Sequence, residues 1–293
     1  MEILVEVLGI VAPVFILAAI GFGWVRLGFA FDLTFVTRLA MTLSVPCLVF
    51  VALARAEIDP DALNTLVIAT LAAYGAVAAV MLLVTLLFRL DLRTNLAPLI
   101  FGNTGNVGLP VALFAYGDAG LSLAVVVFAI MAIMSFTVGV WIVSGGGSPL
   151  PALKEPMVAA AVLGGLCLYL QWTPPDWAMN ALGLIGQMGI PLMLITLGVA
   201  IARLQPDALI KATALSCFKL AVCAAIPFAV ARYLALPPMA TGVLVLQVAM
   251  PVAVTSYMLA EKYRAKAQDV AGLVVVSTLL SVFALPVLLA LVI

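Results

Sequence analysis

Ten predominantly apolar runs follow one another along this chain, and most of the charged residues fall between them. About 20 apolar residues carry an α-helix across a bilayer. On that length the crossings are expected near 7–27, 36–54, 64–88, 95–116, 120–143, 156–172, 179–202, 208–234, 239–260 and 269–293. The sixth is the shortest and stops at Thr173, Pro174 and Pro175. Charged residues make up 9% of the 293, against roughly a quarter in a soluble domain. The fold class read from this is an all-α polytopic membrane protein. The opening Glu2 and Glu6 are unlike the basic start of a cleaved leader, so the first run is read as a retained helix.

Basic residues set the orientation. Stretches after odd-numbered spans hold Arg26, Arg38, Arg89, Arg93, Lys154, Arg203, Lys211, Lys262, Arg264 and Lys266, whereas the opposite face holds Arg55 and Arg232. The odd connections are therefore expected in the cytoplasm and both termini outside. Glu57, Asp59, Asp61, Asp118 and Asp176 fall on the outer side. The chain also repeats: a shift of 143 places Pro13 on Pro156, Gly21 on Gly164 and Arg89 on Arg232. Pro46 meets Pro191 at 145, and Pro110 meets Pro251 at 141. Two units of five spans each, 1–148 and 149–293, must run through the membrane in opposite directions. They are expected as inverted repeats joined by the Ser144 to Lys154 linker.

Within the fourth span, Asn103 to Pro110 reads NTGNVGLP, which is poor helix and good polar lining. Non-helical backbone at membrane depth persists only where protein or a water-filled cavity covers it. The matching stretch of the ninth span is Gln247 to Pro251, QVAMP. Interrupted helices at matching positions of inverted repeats point to the midplane site of a secondary transporter. The two breaks are expected to cross, with Pro110 and Pro251 each opening a second half-helix. Helix N-termini there would face an anion. Substrate-binding candidates are Asn103, Thr104, Asn106, Gly108, Pro110, Gln247, Ala249 and Pro251. The plainer reading of their polar members is hydrogen bonding between helices; their clustering beside glycine and proline favours a site.

A second tier comprises Ser44, Pro46, Cys47, Gln187 and Pro191. Pro46 and Pro191 are expected to kink the second and seventh spans, or to line a sliding path. Lys219 is the one charge placed inside a span. Two readings stand for it: an intramembrane functional group that neutralises an anion or carries a proton, or a lysine that snorkels to the interface. Ser135, Thr255, Ser277 and Ser281 read as small packing residues. Cys47, Cys167, Cys217 and Cys223 lack CxxC spacing and read as core residues, not as disulfide or metal ligands. Histidine is absent, which removes the commonest general base. Tyr116-Gly117-Asp118 resembles an intramembrane aspartyl protease motif, but no second intramembrane carboxylate accompanies it. An enzyme is not expected.

The segments NTGNVGLP with FAYG, AMPVAVTSYMLAEKY and VVVSTLLSVFALPVLL, together with Thr196-Leu197-Gly198 to Gln205-Pro206, resemble the auxin efflux carrier family over essentially the whole chain. That family includes plant auxin exporters and bacterial malonate-type carriers. The resemblance implies a scaffold of helices 1, 2, 6 and 7, a transport bundle of helices 3–5 and 8–10, crossing broken helices 4 and 9, an elevator-type motion and a homodimer. It also implies that Asn103 contacts a substrate carboxylate, with Thr104, Gly108 and Pro110 completing one motif and Ala249 and Pro251 the other. Two departures stand out. The plant exporters carry a long loop between repeats, where this chain has a short linker, and Val49 replaces a serine of theirs.

The expected function is a secondary transporter of a small organic carboxylate, malonate or a related metabolite, in the inner (plasma) membrane. Co-transport of H+ or Na+ stays open, and no cofactor or nucleic-acid partner is implied. An exporter of an auxin-like aromatic monocarboxylate is the alternative, and a ligand-gated channel or receptor is the alternative of another class.

Overall fold

A computed structural model describes residues 2–56, 59–146, 156–203 and 209–292, with side chains described from residue 12 onward. Most of the 144–154 linker, the boundary at 148, Lys154, Glu57 and the Gln205-Pro206 pair lie outside the described residues. The described chain is helical: α1 (Glu2–Arg26), α2 (Leu33–Leu39), α3 (Val45–Ala54), α4 (Pro60–Leu87), α5 (Leu92–Ile100), α6 (Leu109–Met134) and α7 (Val140–Ser144). There follow α8 (Pro156–Tyr169), α9 (Asp176–Gln187), α10 (Gly189–Arg203), α11 (Leu209–Tyr233), α12 (Pro238–Val248), α13 (Val254–Lys262) and α14 (Ala267–Val292).

Among the described residues, six stretches are long and apolar enough to cross a membrane: Leu33–Ala54, Asp61–Leu87, Thr104–Ser144, Asp176–Arg203, Leu209–Tyr233 and Ala267–Val292. Shorter apolar helices cover Ala12–Arg26, Pro156–Tyr169 and Pro238–Val248. The longest stretch is not continuous, because Gly117 leaves helical geometry at φ 65° and ψ −156°. That residue falls between the fourth and fifth runs of the sequence.

Proline explains two wide turns. A helical proline lacks an N–H, and its ring crowds the carbonyl four residues back. Pro46 and Pro110 each follow a π-helical turn, Ala40–Ser44 and Thr104–Gly108, and the crowded residues Thr42 and Asn106 lie within those turns. The extra residue in each turn relieves the crowding. Pro191 acts more sharply. Four residues before it stands Gln187, the last residue of α9, and α10 restarts at Gly189.

Packing divides the helices into two sets. In one, α1 lies along α10, while α3 lies along α8 and α9. In the other, α11 packs on α4, α12 and α14, α12 packs on α6, and α13 packs on α14. At one end Arg93 ties the second set together, donating to the Val143 carbonyl at 3.0 Å and the Tyr263 carbonyl at 2.7 Å. Cys47, Cys167 and Cys223 are buried as expected, but Cys217 is exposed: it faces away from the buried stripe of α11 that carries Ser216, Lys219 and Cys223.

Glycine allows α1 and α10 to approach backbone to backbone. A Cβ on Gly198 would lie 1.7 Å from the Ala18 carbonyl oxygen, and one on Gly21 would lie 2.0 Å from that of Ile195. Small residues permit such contact where lipid supplies no hydrophobic drive for helix association. Gly198→Ala is accordingly expected to destabilise the protein by about 1–3 kcal/mol, read as a lowered thermal midpoint in detergent. Gly23→Ala, whose Cβ meets nothing within 4 Å, is expected to leave that midpoint in place.

Candidate functional site

The two interrupted stretches meet. Helix α5 ends at Ile100, and the chain leaves helical geometry through Phe101, which is extended, Gly102 and Asn103 before the π-turn at Thr104. Helix α12 ends at Val248, and Ala249 to Ala253 lead into α13. Gly102 and Val252 form an antiparallel bridge, in which the Asn103 N–H donates to the Pro251 carbonyl at 2.6 Å. The Val252 N–H finds the Ser277 hydroxyl of α14 at 2.9 Å. Gly102 makes this approach possible, since a Cβ there would sit 2.7 Å from the Met250 carbonyl oxygen.

The interruptions differ in detail from the positions read in the sequence. Residues 105–110 are helical, first as the π-turn and then as α6, and the non-helical backbone precedes them. Pro110 is the second residue of α6, not the opener of a half-helix. The helix start is instead capped by Asn103, whose side-chain oxygen accepts from the Asn106 N–H at 3.3 Å. A short polar side chain that bonds back to the backbone outcompetes proline as the starter here. Pro251 lies within the break, three residues ahead of α13. Its φ suits extended backbone, and its carbonyl is the acceptor that Asn103 uses. Gln247 belongs to α12 rather than to the break.

Around this junction sits a group of buried polar atoms without partners. Asn103 is 4% exposed and its Nδ2 is unpaired; Thr104 Oγ1 and Asn106 Oδ1 are also unpaired. Gln247 is 0% exposed, and neither atom of its amide finds a partner. That amide lies against Gly108, where a Cβ would come within 2.4 Å of Oε1. Leaving a buried polar atom unpaired costs about 1–3 kcal/mol, and buried polar groups are satisfied in the great majority of native structures. Several such unpaired atoms gather at this one junction. Asn103, Thr104, Asn106, Gly108, Pro110, Gln247, Ala249 and Pro251 are all buried and all belong to these two interrupted stretches.

Hydrophobic residues close the junction on several sides: Val14 and Ala18 from α1, Leu194 and Leu197 from α10, Leu246 and Met250 around α12, and Leu285 and Leu289 from α14. Of the orphans outside the site residues read from the sequence, Thr196 lies nearest the 104–108 turn by helix packing. It is buried on α10 with its hydroxyl unpaired. Its signal was visible as a threonine in an apolar run, but nothing local distinguishes it from a packing threonine.

The second-tier residues divide. Ser44, Pro46 and Cys47 are buried, with the Ser44 hydroxyl unpaired beside Gly189. Gln187 and Pro191 are exposed at the α9–α10 joint and stand apart from the buried group. Lys219 is buried in the middle of α11 at 2% exposure, so its ammonium does not snorkel in this conformation. Among the described residues no cluster of His, Cys, Asp or Glu is arranged to hold a metal.

A family model described as "Membrane transport protein" matches residues 6–150 and 147–289, nearly the whole chain. This is thus a multi-pass membrane transport protein and not an enzyme. More particularly, the chain belongs to the auxin efflux carrier family of membrane transporters. No curated protein matches the sequence.

Ser277→Ala removes the acceptor of the Val252 N–H and leaves that donor buried. A loss of about 1–3 kcal/mol is expected, measured as a lower thermal midpoint. Ser281→Ala, whose hydroxyl bonds only the Thr278 carbonyl of its own helix, is expected to change the midpoint far less.

Proposed function

We propose that this protein is a secondary transporter that moves a small organic carboxylate, such as malonate or a related metabolite, by alternating access. The observation that carries the reading is the junction of the two breaks, where Asn103 Nδ2, the Thr104 hydroxyl and Gln247 Nε2 are buried donors with nothing to donate to. The N–H groups of Thr104 and Gly105 open a helical turn and have no partner within it. Neutral donors and a helix start together suit a carboxylate. A substrate that completes them repairs the cost of leaving them unpaired.

In this reading the chain is two inverted repeats of five spans, 1–148 and 149–293, with ten crossings in all. The order of elements supports it, as do the positive-φ residues: Gly28, Arg89 and Gly117 are followed 143, 146 and 147 residues later by Gln171, Ala235 and Arg264. The two packing sets are consistent with a scaffold of helices 1, 2, 6 and 7 and a transport bundle of helices 3–5 and 8–10. Arg93, the end of α7 and the end of α13 share one end of the bundle, in keeping with a cytoplasmic face there and with both termini outside the plasma membrane. A bundle sliding as a unit against a dimeric scaffold is the elevator motion that this division favours.

The first measurement is thermal stabilisation of the purified protein by malonate, succinate, butyrate and indole-3-acetate, since a ligand of the folded state raises its midpoint by mass action. Short carboxylates are expected to shift it. A shift with indole-3-acetate alone would make the auxin-like monocarboxylate the substrate, and none with any would end the carboxylate reading. Asn103→Ala is expected to abolish both the shift and saturable counterflow in proteoliposomes while expression is retained. Currents far above carrier turnover would instead identify a channel.

A further inference from the structure

The amine of Lys219 lies about 15 Å along α11 from Leu209, at 1.5 Å per residue, and is sealed from the surface. Its one hydrogen-bond partner is the thiol of Cys223, a weak acceptor at 3.7 Å. An ammonium carries three donors, so others remain unspent. No carboxylate balances it: the one ion pair among the described residues joins Lys211 to Asp269 at 3.0 Å. A buried charge is costly unless it is paired and hydrogen-bonded.

Lys219 lines a small cleft together with Ser216, Met250, Pro251, Ser277 and Ser281. Ser216 stands one turn before Lys219 on the same face of α11. It is 2% exposed, and its hydroxyl has no partner. The other two hydroxyls are already donating: Ser277 to the Val274 carbonyl at 3.3 Å and Ser281 to the Thr278 carbonyl at 2.7 Å. The free groups of the cleft are thus the Lys219 amine and the Ser216 hydroxyl, donors that together fit an anion. The cleft has room for about one water, the scale of a single carboxylate oxygen.

This cleft adjoins the junction, sharing Ala249 and Pro251 with it. Pro251 lines it, and the Pro251 carbonyl receives the Asn103 N–H at 2.6 Å. Neutral donors therefore gather at the junction, and the only basic side chain buried within a membrane-length helix among the described residues stands at the adjoining cleft. We propose that Lys219 and Ser216 form a second anionic subsite, and that the substrate is a dicarboxylate with one carboxylate at the Asn103–Gln247 junction and the other at Lys219. The proposal rests on the carboxylate reading above and adds to it the number of charges recognised.

The test is calorimetric titration of the full-length protein with malonate, succinate and glutarate, each against the monocarboxylate of equal carbon number: propionate, butyrate and valerate. The wild type is expected to prefer at least one dicarboxylate by about tenfold or more in Kd. Lys219→Met and Lys219→Gln should each reduce that preference to below about threefold, and Ser216→Ala should reduce it in part. If both lysine variants fail to fold, Ser216→Ala decides alone. A wild-type preference for monocarboxylates, or an undiminished dicarboxylate preference in the variants that fold, overturns the proposal. Failure of the wild type to bind any carboxylate, indole-3-acetate included, defeats the carboxylate reading itself and is distinguishable from either result.

Discussion

A peptide group inside a bilayer has no water to turn to, so each interruption of a helix must find its hydrogen bonds within the protein. Two interruptions meet at the junction, and a backbone hydrogen bond joins them. The Asn103 N–H finds the Pro251 carbonyl, and the Gly102–Val252 bridge holds the two segments side by side. Ser277 completes the arrangement from a third helix. These contacts tie the segments after α5 and α12 to α14 around the junction.

Close approach of backbones is the other condition of the structure, and it recurs wherever elements meet tightly. Gly102 admits Met250, and Gly21 and Gly198 admit α10 and α1 to each other. In a bilayer such contacts matter more than apolar burial, because lipid is as apolar as the side chains it would replace. The apolar cluster of Val14, Leu194, Leu246 and Leu285 serves a different purpose. It surrounds the junction and lowers the local dielectric, which strengthens any polar contact made there.

Against that background the unpaired atoms gain meaning. Asn103, Thr104, Asn106 and Gln247 gather in one dry place with polar capacity unused, and Lys219 and Ser216 do so on the far side of Pro251. A chain selected for stability alone would fill such positions with apolar residues, which replace buried polar groups at little or no cost. In the function proposed above, these groups pair with the carboxylates of the substrate.

Much of the architecture was legible in the chain. Apolar run length decides what crosses a membrane, so the all-helical class, most of the apolar helices, the turn near Gly117 and the interrupted character of the stretches around Asn103 and Gln247 followed from composition and spacing. The boundaries of the breaks did not. Proline and glycine mark where a helix is weak, but the starting residue was set by which side chain caps the backbone, and Asn103 rather than Pro110 does that. Thr196 and Ser216 were equally invisible, since a lone hydroxyl in an apolar run reads the same whether it is satisfied or not. The sequence by itself determined that helices span, where they weaken and which residues are polar. Only the tertiary structure decided which weak points meet, that Gln187 and Pro191 face outward, and that Lys219 is sealed beside the break. Those outcomes depend on contacts between residues far apart in the chain, and local pattern carries no information about them.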